Sequence, residues 1–159
     1  MHEAIRIAPD PLKLQADPSL CRDCQACTLA CSLYHAGECN LGLARLRVTK
    51  DMARYEFDIV ICRHCEDPDC VAACPNESIR WDDQHRVVII DQDECLLCGA
   101  CAEACAYHAI FYDPVSRQYL KCDLCAGRVG GPLCVELCPV HALTLSLPSA
   151  AGLAVGVGA

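Results

Sequence analysis

Short stretches of alternating apolar and polar residues occur along the chain and predict β-strands in pairs. The clearest is the segment 55–61, where every second residue is Tyr, Phe or Ile, and Glu56 and Asp58 lie between them. This alternation places the apolar side chains on one face of a strand. We expect this strand to pair with a second short strand at 44–48.

Two further pairs of apolar runs enclose polar turns and predict β-hairpins. They are 79–81 with 87–90, and 110–112 with 118–120. A last short strand is predicted at 143–147. Short helical turns are expected before these later strands, so the pattern indicates an α+β fold in which small hairpins frame the loops.

The composition shows that these hairpins enclose very little ordinary core. The chain has 159 residues and contains 17 Cys but only two Phe, one Trp and five Tyr. Cross-links must therefore stabilise the fold, and disulfides, zinc and iron-sulfur clusters are the three choices. Residues 1–11 lack the apolar run of an export signal, so we expect a cytoplasmic protein without a disulfide framework.

Sixteen of the cysteines form four groups of four, which is an internal repeat. Groups one and three share the spacing C-x2-C-x2-C-x3-C, and groups two and four have a longer middle gap. The groups are Cys21, Cys24, Cys27 and Cys31; Cys62, Cys65, Cys70 and Cys74; Cys95, Cys98, Cys101 and Cys105; and Cys122, Cys125, Cys134 and Cys138. Cys39 is left over, and we expect it to be a half-buried structural residue.

This spacing favours iron-sulfur clusters over zinc. Zinc sites usually take two separated Cys pairs, whereas each group here offers three close thiols and a fourth about one helical turn away. In ferredoxins with two clusters, the fourth Cys of such a run binds the other cluster. The groups should therefore work in pairs, although a zinc-stabilised interaction module remains the alternative from another class.

Two segments resemble the four-cluster ferredoxin-like subunits of molybdenum and tungsten oxidoreductases, such as dimethyl sulfoxide reductase and formate dehydrogenase. They are 121–142, which begins Lys-Cys-Asp-Leu-Cys, and 62–75, which begins Cys-Arg-His-Cys. The resemblance implies four [4Fe-4S] clusters, two interleaved bacterial-ferredoxin-like halves and an electron-transfer role. One half would comprise residues 1–61 with 106–147, the inserted half residues 62–105, and residues 148–159 would be a flexible or partner-docked tail.

The same resemblance implies which cysteines share a cluster, pairing group one with group four and group two with group three. The implied sets are Cys21, Cys24, Cys27 and Cys138; Cys122, Cys125, Cys134 and Cys31; Cys62, Cys65, Cys70 and Cys105; and Cys95, Cys98, Cys101 and Cys74.

The segment 29–48 resembles more narrowly the small iron-sulfur subunits of tungsten aldehyde oxidoreductases. This implies an anaerobic complex with a catalytic subunit that carries a molybdenum or tungsten pterin, and a flavin subunit or soluble ferredoxin as the second redox partner. Subunits of hydrogenases, formate dehydrogenases and carbon monoxide dehydrogenases are the alternatives.

Charge and missing motifs exclude other functions. A formal net charge of -8 argues against nucleic-acid binding. No Gly-rich dinucleotide motif or nucleophile-base pair stands out, so we expect no catalysis by this chain alone. The uncharged segment 142–159 contains Pro and Gly and lacks flanking Lys or Arg, which argues against a membrane span. Basic residues near the cysteines, including Arg22 and Lys121, are candidates to offset cluster charge.

Overall fold

The computed structural model describes residues 13–146. Within that range the chain forms eight short strands and four helices. In chain order they are β1 (Lys13–Ala16), α1 (Ala26–Ala36), β2 (Arg47–Asp51), β3 (Glu56–Val60), α2 (Asp69–Ala72), β4 (Ile79–Asp82), β5 (Val87–Ile90), α3 (Ala100–Ala104), β6 (Ile110–Asp113), β7 (Gln118–Lys121), α4 (Leu133–Glu136) and β8 (Leu143–Ser146).

The strands form four separate antiparallel pairs. The hairpins β4–β5 and β6–β7 confirm the sequence prediction, with Ile79 opposite Ile90 and Ile110 opposite Lys121. The residue just before the second strand of each has a positive φ, 58° at Arg86 and 54° at Arg117. The two turns therefore share one backbone shape.

The strand predicted at 44–48 was placed too early, because β2 occupies Arg47–Asp51. The side chain of Asn40 accepts a hydrogen bond from Gly42 N and caps a 3-10 turn at 41–43. The chain leaves that turn extended, with Ala44 and Leu46 almost fully buried. Their apolar character serves the core rather than a sheet face.

Strand β1 is a pairing partner that the alternation did not reveal. It pairs with β8, with Leu14 opposite Leu145, and so joins the two ends of the described chain. β8 confirms the predicted strand at 143–147 as far as Ser146, while Leu147 and the tail 148–159 lie outside the described residues.

The buried side chains form two hydrophobic clusters. The larger contains Leu14, Leu46, Ile61 and Leu143 together with cysteines of the first, second and fourth groups. The smaller is centred on Ile79 and contains Cys101. The protein therefore has the expected ferredoxin-like α+β fold, with two small cores among cysteine loops. Among residues 13–146 no helix is both long and apolar enough to cross a membrane.

Candidate metal centres

In each cysteine group, a helix contains the third cysteine, and the fourth cysteine lies in the same helix or just after it. The pairs are Cys27 and Cys31, Cys70 and Cys74, Cys101 and Cys105, and Cys134 and Cys138. Each pair is four residues apart, which corresponds to a rise of about one helical turn. The two thiols of a pair are therefore separated by about one turn along the helix axis, which lets each of them reach a different neighbouring site.

The first site, called the Cys21 site, is a small cavity among the cysteine loops. Val48, Ile59 and Leu143 form part of its apolar wall. Four thiol-bearing residues line it, Cys21, Cys24, Cys27 and Cys138. They are one of the four sets implied by the resemblance, drawn from both ends of the chain.

The Cys95 site is a similar small cavity in the smaller core. Ile79, Ile90 and Tyr119 contribute to its wall. Its four cysteines are Cys95, Cys98, Cys101 and Cys74. Burial raises the pKa of Cys101, and the nearby thiols of Cys95 and Cys74 raise it further.

The thiol of Cys74 differs from the other members of these sets. It lies 3.3 Å from the hydroxyl of Ser78, and this contact lowers its pKa to about 7, despite a smaller opposing effect of desolvation. A thiolate at this position is therefore stabilised by the protein before any metal binds.

The Cys62 site is identified by its electrostatic neighbours. Burial raises the pKa of Cys65, and the adjacent thiols of Cys62 and Cys105 add to the effect. Burial raises the pKa of Cys70 to about 11, and the same two thiols contribute. The structure thus brings together Cys62, Cys65, Cys70 and Cys105.

The Cys122 site is the most deeply buried of the four. Burial raises the pKa of Cys134 to about 12, and the thiols of Cys31 and Cys125 raise it further. Burial also raises the pKa of Cys122, with Cys134 as a neighbouring contributor. This set therefore contains Cys122, Cys125, Cys134 and Cys31.

The cysteines of neighbouring sites interact electrostatically, and these interactions connect the four sites in one row. Cys101 acts electrostatically on Cys70, which connects the Cys95 site to the Cys62 site. Cys62 acts on Cys122, and Cys27 acts on Cys134. The order is therefore Cys95 site, Cys62 site, Cys122 site and Cys21 site.

Backbone amides point at several of the sulfur atoms. His64 N donates to Cys62 Sγ and Leu124 N donates to Cys122 Sγ, each at 3.4 Å. Ala142 N donates to Cys138 Sγ at 3.2 Å. N–H donors toward sulfur stabilise thiolate charge and are one of the ways in which proteins tune iron-sulfur centres.

The same loop conformation recurs in all four groups. The residue two positions after the first Cys of each group has a left-handed backbone, with φ between 47° and 56°. These residues are Asp23, His64, Leu97 and Leu124. Such a conformation is uncommon for residues other than glycine. Its repetition in all four groups indicates that the four cysteine loops have the same functional role.

A charged group of three residues stands beside the Cys122 site. Arg45 Nη1 donates to Asp123 Oδ2 at 2.7 Å, and His35 Nε2 lies 3.4 Å from Asp123 Oδ1. Arg45 N also donates to Cys31 Sγ at 3.3 Å. Burial lowers the pKa of His35, and the charge of Arg45 lowers it further, against the opposing effect of Asp123.

Two buried polar residues, His64 and Lys121, lie beside the two central sites, and their burial is not apparent from the sequence. His64 is fully buried, and burial together with the charge of Lys121 lowers its pKa to about 3. Its Nδ1 accepts a hydrogen bond from Val88 N at 3.4 Å, so a neutral ring carries its proton on Nε2. Lys121 is only 5% exposed. The sequence signal was their position, since His64 lies between Cys62 and Cys65 and Lys121 immediately precedes Cys122.

The chemistry of the donor sets fits iron-sulfur clusters. Each site offers four thiols and no carboxylate or imidazole within its set, and [4Fe-4S] clusters take four thiolates. In the described range 13–146, no cluster of three or more candidate ligands converges on a single ion.

Cys39 was expected to be half-buried, and that expectation was wrong. The residue is exposed in the loop after α1. The loop turns outward because Gly37 ends the helix with a φ of 75° and Asn40 begins the following turn. Cys39 takes part in none of the four sites.

Comparison with known proteins agrees with this geometry. The sequence model of a family described as 4Fe-4S dicluster domain matches residues 53–147. The ferredoxin-like protein YdhX of Escherichia coli K12 is 34% identical over 136 residues, which cover 80% of this chain and 61% of YdhX. The chain thus spans about three fifths of that relative.

A second relative and a solved structure extend the comparison. The thiosulfate reductase electron transfer subunit PhsB of Salmonella typhi is 32% identical over 139 residues, covering 80% of this chain and 71% of PhsB. The active site complex BamBC of benzoyl coenzyme A reductase, solved with benzoyl-CoA, contains a chain that superposes with a TM-score of 0.52 and 29% identity. The superposition covers 85% of this chain and 78% of that one.

Proposed function

Because this chain belongs to the 4Fe-4S dicluster domain family, we propose that it is a non-catalytic iron-sulfur subunit that relays single electrons within an oxidoreductase complex. Bound [4Fe-4S] clusters would supply reversible one-electron chemistry at each site. The name of PhsB describes an electron transfer subunit, which supports this role.

The proposal includes four clusters, with the Cys21, Cys122, Cys62 and Cys95 sites as their ligand sets. The family model covers the second, third and fourth cysteine groups, and the repeat of spacing extends the assignment to the first. Sixteen thiols in four sets, each contributed by two groups, leave only Cys39 without a role in metal binding. The division into a half of 1–61 with 106–147 and an inserted half of 62–105 belongs to the same proposal.

The observation that carries the proposal is the row of sites with an exposed thiol at each end. Cys24 belongs to the Cys21 site and Cys98 to the Cys95 site, and both are exposed. The cysteines of the Cys122 site are all buried. Electrons can therefore be exchanged with partners at the two ends, while the Cys122 site between them is shielded from water.

A catalytic subunit with a molybdenum or tungsten pterin is the partner that we propose for one end, and a flavin subunit or soluble ferredoxin for the other. The support is the likeness of segment 29–48 to the tungsten aldehyde oxidoreductase subunits, and a structural relative that forms part of an active site complex. Purification of the native complex with analysis for molybdenum and tungsten tests this assignment. A complex that contains neither metal would contradict it.

A reductive titration tests the relay itself. The anaerobically purified full chain should take up about four electrons from dithionite, one for each cluster, with loss of its broad visible absorption. It should then return them to an oxidised ferredoxin or viologen dye. A colourless protein that takes up no electrons would contradict the proposal and favour the zinc-stabilised interaction module.

A further inference from the structure

Lys121 is a buried cation that has no acidic partner among residues 13–146. It is the last residue of β7, and its Nζ donates to Val88 O at 2.6 Å and to Cys122 O at 3.0 Å. Both acceptors are neutral carbonyl oxygens. Among residues 13–146, no carboxylate lies within 4.0 Å of this ammonium.

Three other cations near the cysteine loops are neutralised by carboxylates. Arg45 pairs with Asp123 at 2.7 Å, Lys50 pairs with Asp23 at 2.7 Å, and Arg128 pairs with Glu136 at 2.6 Å. Lys121 is different because its two hydrogen bonds go to neutral carbonyl oxygens, which do not balance its charge. A buried charge without a counter-charge is strongly destabilising.

The missing negative charge is available on both sides of Lys121. Burial raises the pKa of Cys70 and of Cys122, and the ammonium of Lys121 opposes that effect at both thiols. Cys70 belongs to the Cys62 site and Cys122 to the Cys122 site, the two central members of the row. His64, also close to Lys121, has a lowered pKa and is neutral at physiological pH.

We propose that Lys121 supplies a fixed positive charge, shared by the two central sites, that makes the clusters bound there easier to reduce. The inference rests on the proposed function, since it requires clusters at the Cys62 and Cys122 sites. The electron comes from the external reductant, and Lys121 takes no part in the electron transfer itself. Its action is purely electrostatic and is strong because burial limits screening by water and salt.

The position of Lys121 gives this charge a consequence for the relay. The Cys62 and Cys122 sites are where an electron crosses from one ferredoxin-like half to the other. A cation between them favours the reduced state on both sides of the crossing. Lys121 thus holds a positive charge between the two central sites. It is a positioning residue and not a catalytic residue.

Three variants of Lys121 test the inference, two neutral and one charged. Lys121→Gln and Lys121→Met remove the charge, and Lys121→Arg keeps it. Arg22→Gln is the matched control, because it removes one charge from an exposed side chain beside the Cys21 site. Anaerobic redox titrations followed by EPR give the potentials, with the central signals identified through Cys65→Ser and Cys125→Ser.

The neutral variants should lower the equilibrium constant for one-electron reduction of both central clusters at least tenfold. This corresponds to a potential about 59 mV lower for a one-electron couple. The clusters of the two end sites should shift less. Lys121→Arg and Arg22→Gln should leave the central potentials close to those of the wild-type protein.

Unchanged central potentials in fully loaded Lys121→Gln and Lys121→Met proteins would overturn the inference. If the neutral variants fail to retain the central clusters while Lys121→Arg retains them, the requirement for charge is supported. Loss of clusters from Lys121→Arg as well would show that side-chain shape decides, and would overturn it. The iron, sulfide and EPR signals of the wild-type protein test the proposed function separately from these potentials.

Discussion

At the residue scale, each cysteine has a role set by its group and its exposure. Cys98 lies at the exposed end of the row, and its site is lined by three further cysteines. Cys39 is equally exposed but belongs to no site. These two residues therefore form a matched pair for testing ligand assignment.

We predict that Cys98→Ser removes or destabilises one cluster and lowers the iron content of the anaerobically purified chain by about a quarter. Because metal binding is coupled to folding, the half that contains this site should also unfold more readily. Cys39→Ser should keep the full iron content. Equal iron content and thermal stability in the two variants would contradict the assignment of Cys98.

The Cys spacing alone marked sixteen candidate ligands, and the structure groups them as the Cys21, Cys62, Cys95 and Cys122 sites. That these residues bind clusters stays a prediction. The burial of His64 and Lys121 was not predicted, because both side chains are hydrogen-bonded to the backbone of Val88 in strand β5, which is distant from them in sequence. Long-range contacts of this kind leave no periodic signal in the sequence.

At the element scale, the start of α3 shows how tightly a loop is fitted to its site. Gly99 precedes this helix with a φ of 82°, and a Cβ atom there would lie 2.8 Å from the hydroxyl oxygen of Tyr119. Both the backbone conformation and the neighbouring side chain therefore require glycine.

We predict that Gly99→Ala speeds the loss of visible absorption in air, because it strains the loop between Cys98 and Cys101. The left-handed conformation alone costs about 1–2 kcal/mol for alanine. The double variant Gly99→Ala/Tyr119→Phe removes the clashing oxygen and should recover part of the lost stability. No recovery would show that the contact with Tyr119 is unimportant.

Hairpins were predicted well because each is encoded by neighbouring residues. The β4–β5 and β6–β7 pairs each have apolar runs on both sides of a polar turn. The pair β1–β8 joins strands from opposite ends of the chain, so neither flank contains a turn signal. The helix α1 was not predicted for another reason. Its large apolar residues Leu29, Leu33 and Tyr34 are exposed, so they do not form the buried stripe that marks a helix in a sequence.

At the scale of the whole molecule, the β1–β8 pair and the interleaved cysteines close the fold. Leu14 of β1 is 1% exposed and belongs to the larger core, with Leu143 of β8. Because the Cys21 site takes ligands from both ends of the chain, packing at this pair should also protect its cluster.

We predict that Leu14→Ala destabilises the protein by about 2–5 kcal/mol, the usual range for a buried leucine truncated to alanine. Denaturation by guanidinium, followed by visible absorption under anaerobic conditions, gives the change in midpoint. Val115→Ala is the control, because Val115 is 90% exposed in the turn between β6 and β7. Similar midpoints for the two variants would argue against a closing role for β1.

The central claim is that sixteen thiols hold four iron-sulfur clusters, and elemental analysis tests it most directly. The anaerobically purified chain should contain about sixteen iron atoms and about as many acid-labile sulfides, with little zinc. One or two zinc ions per chain with no acid-labile sulfide would contradict the account.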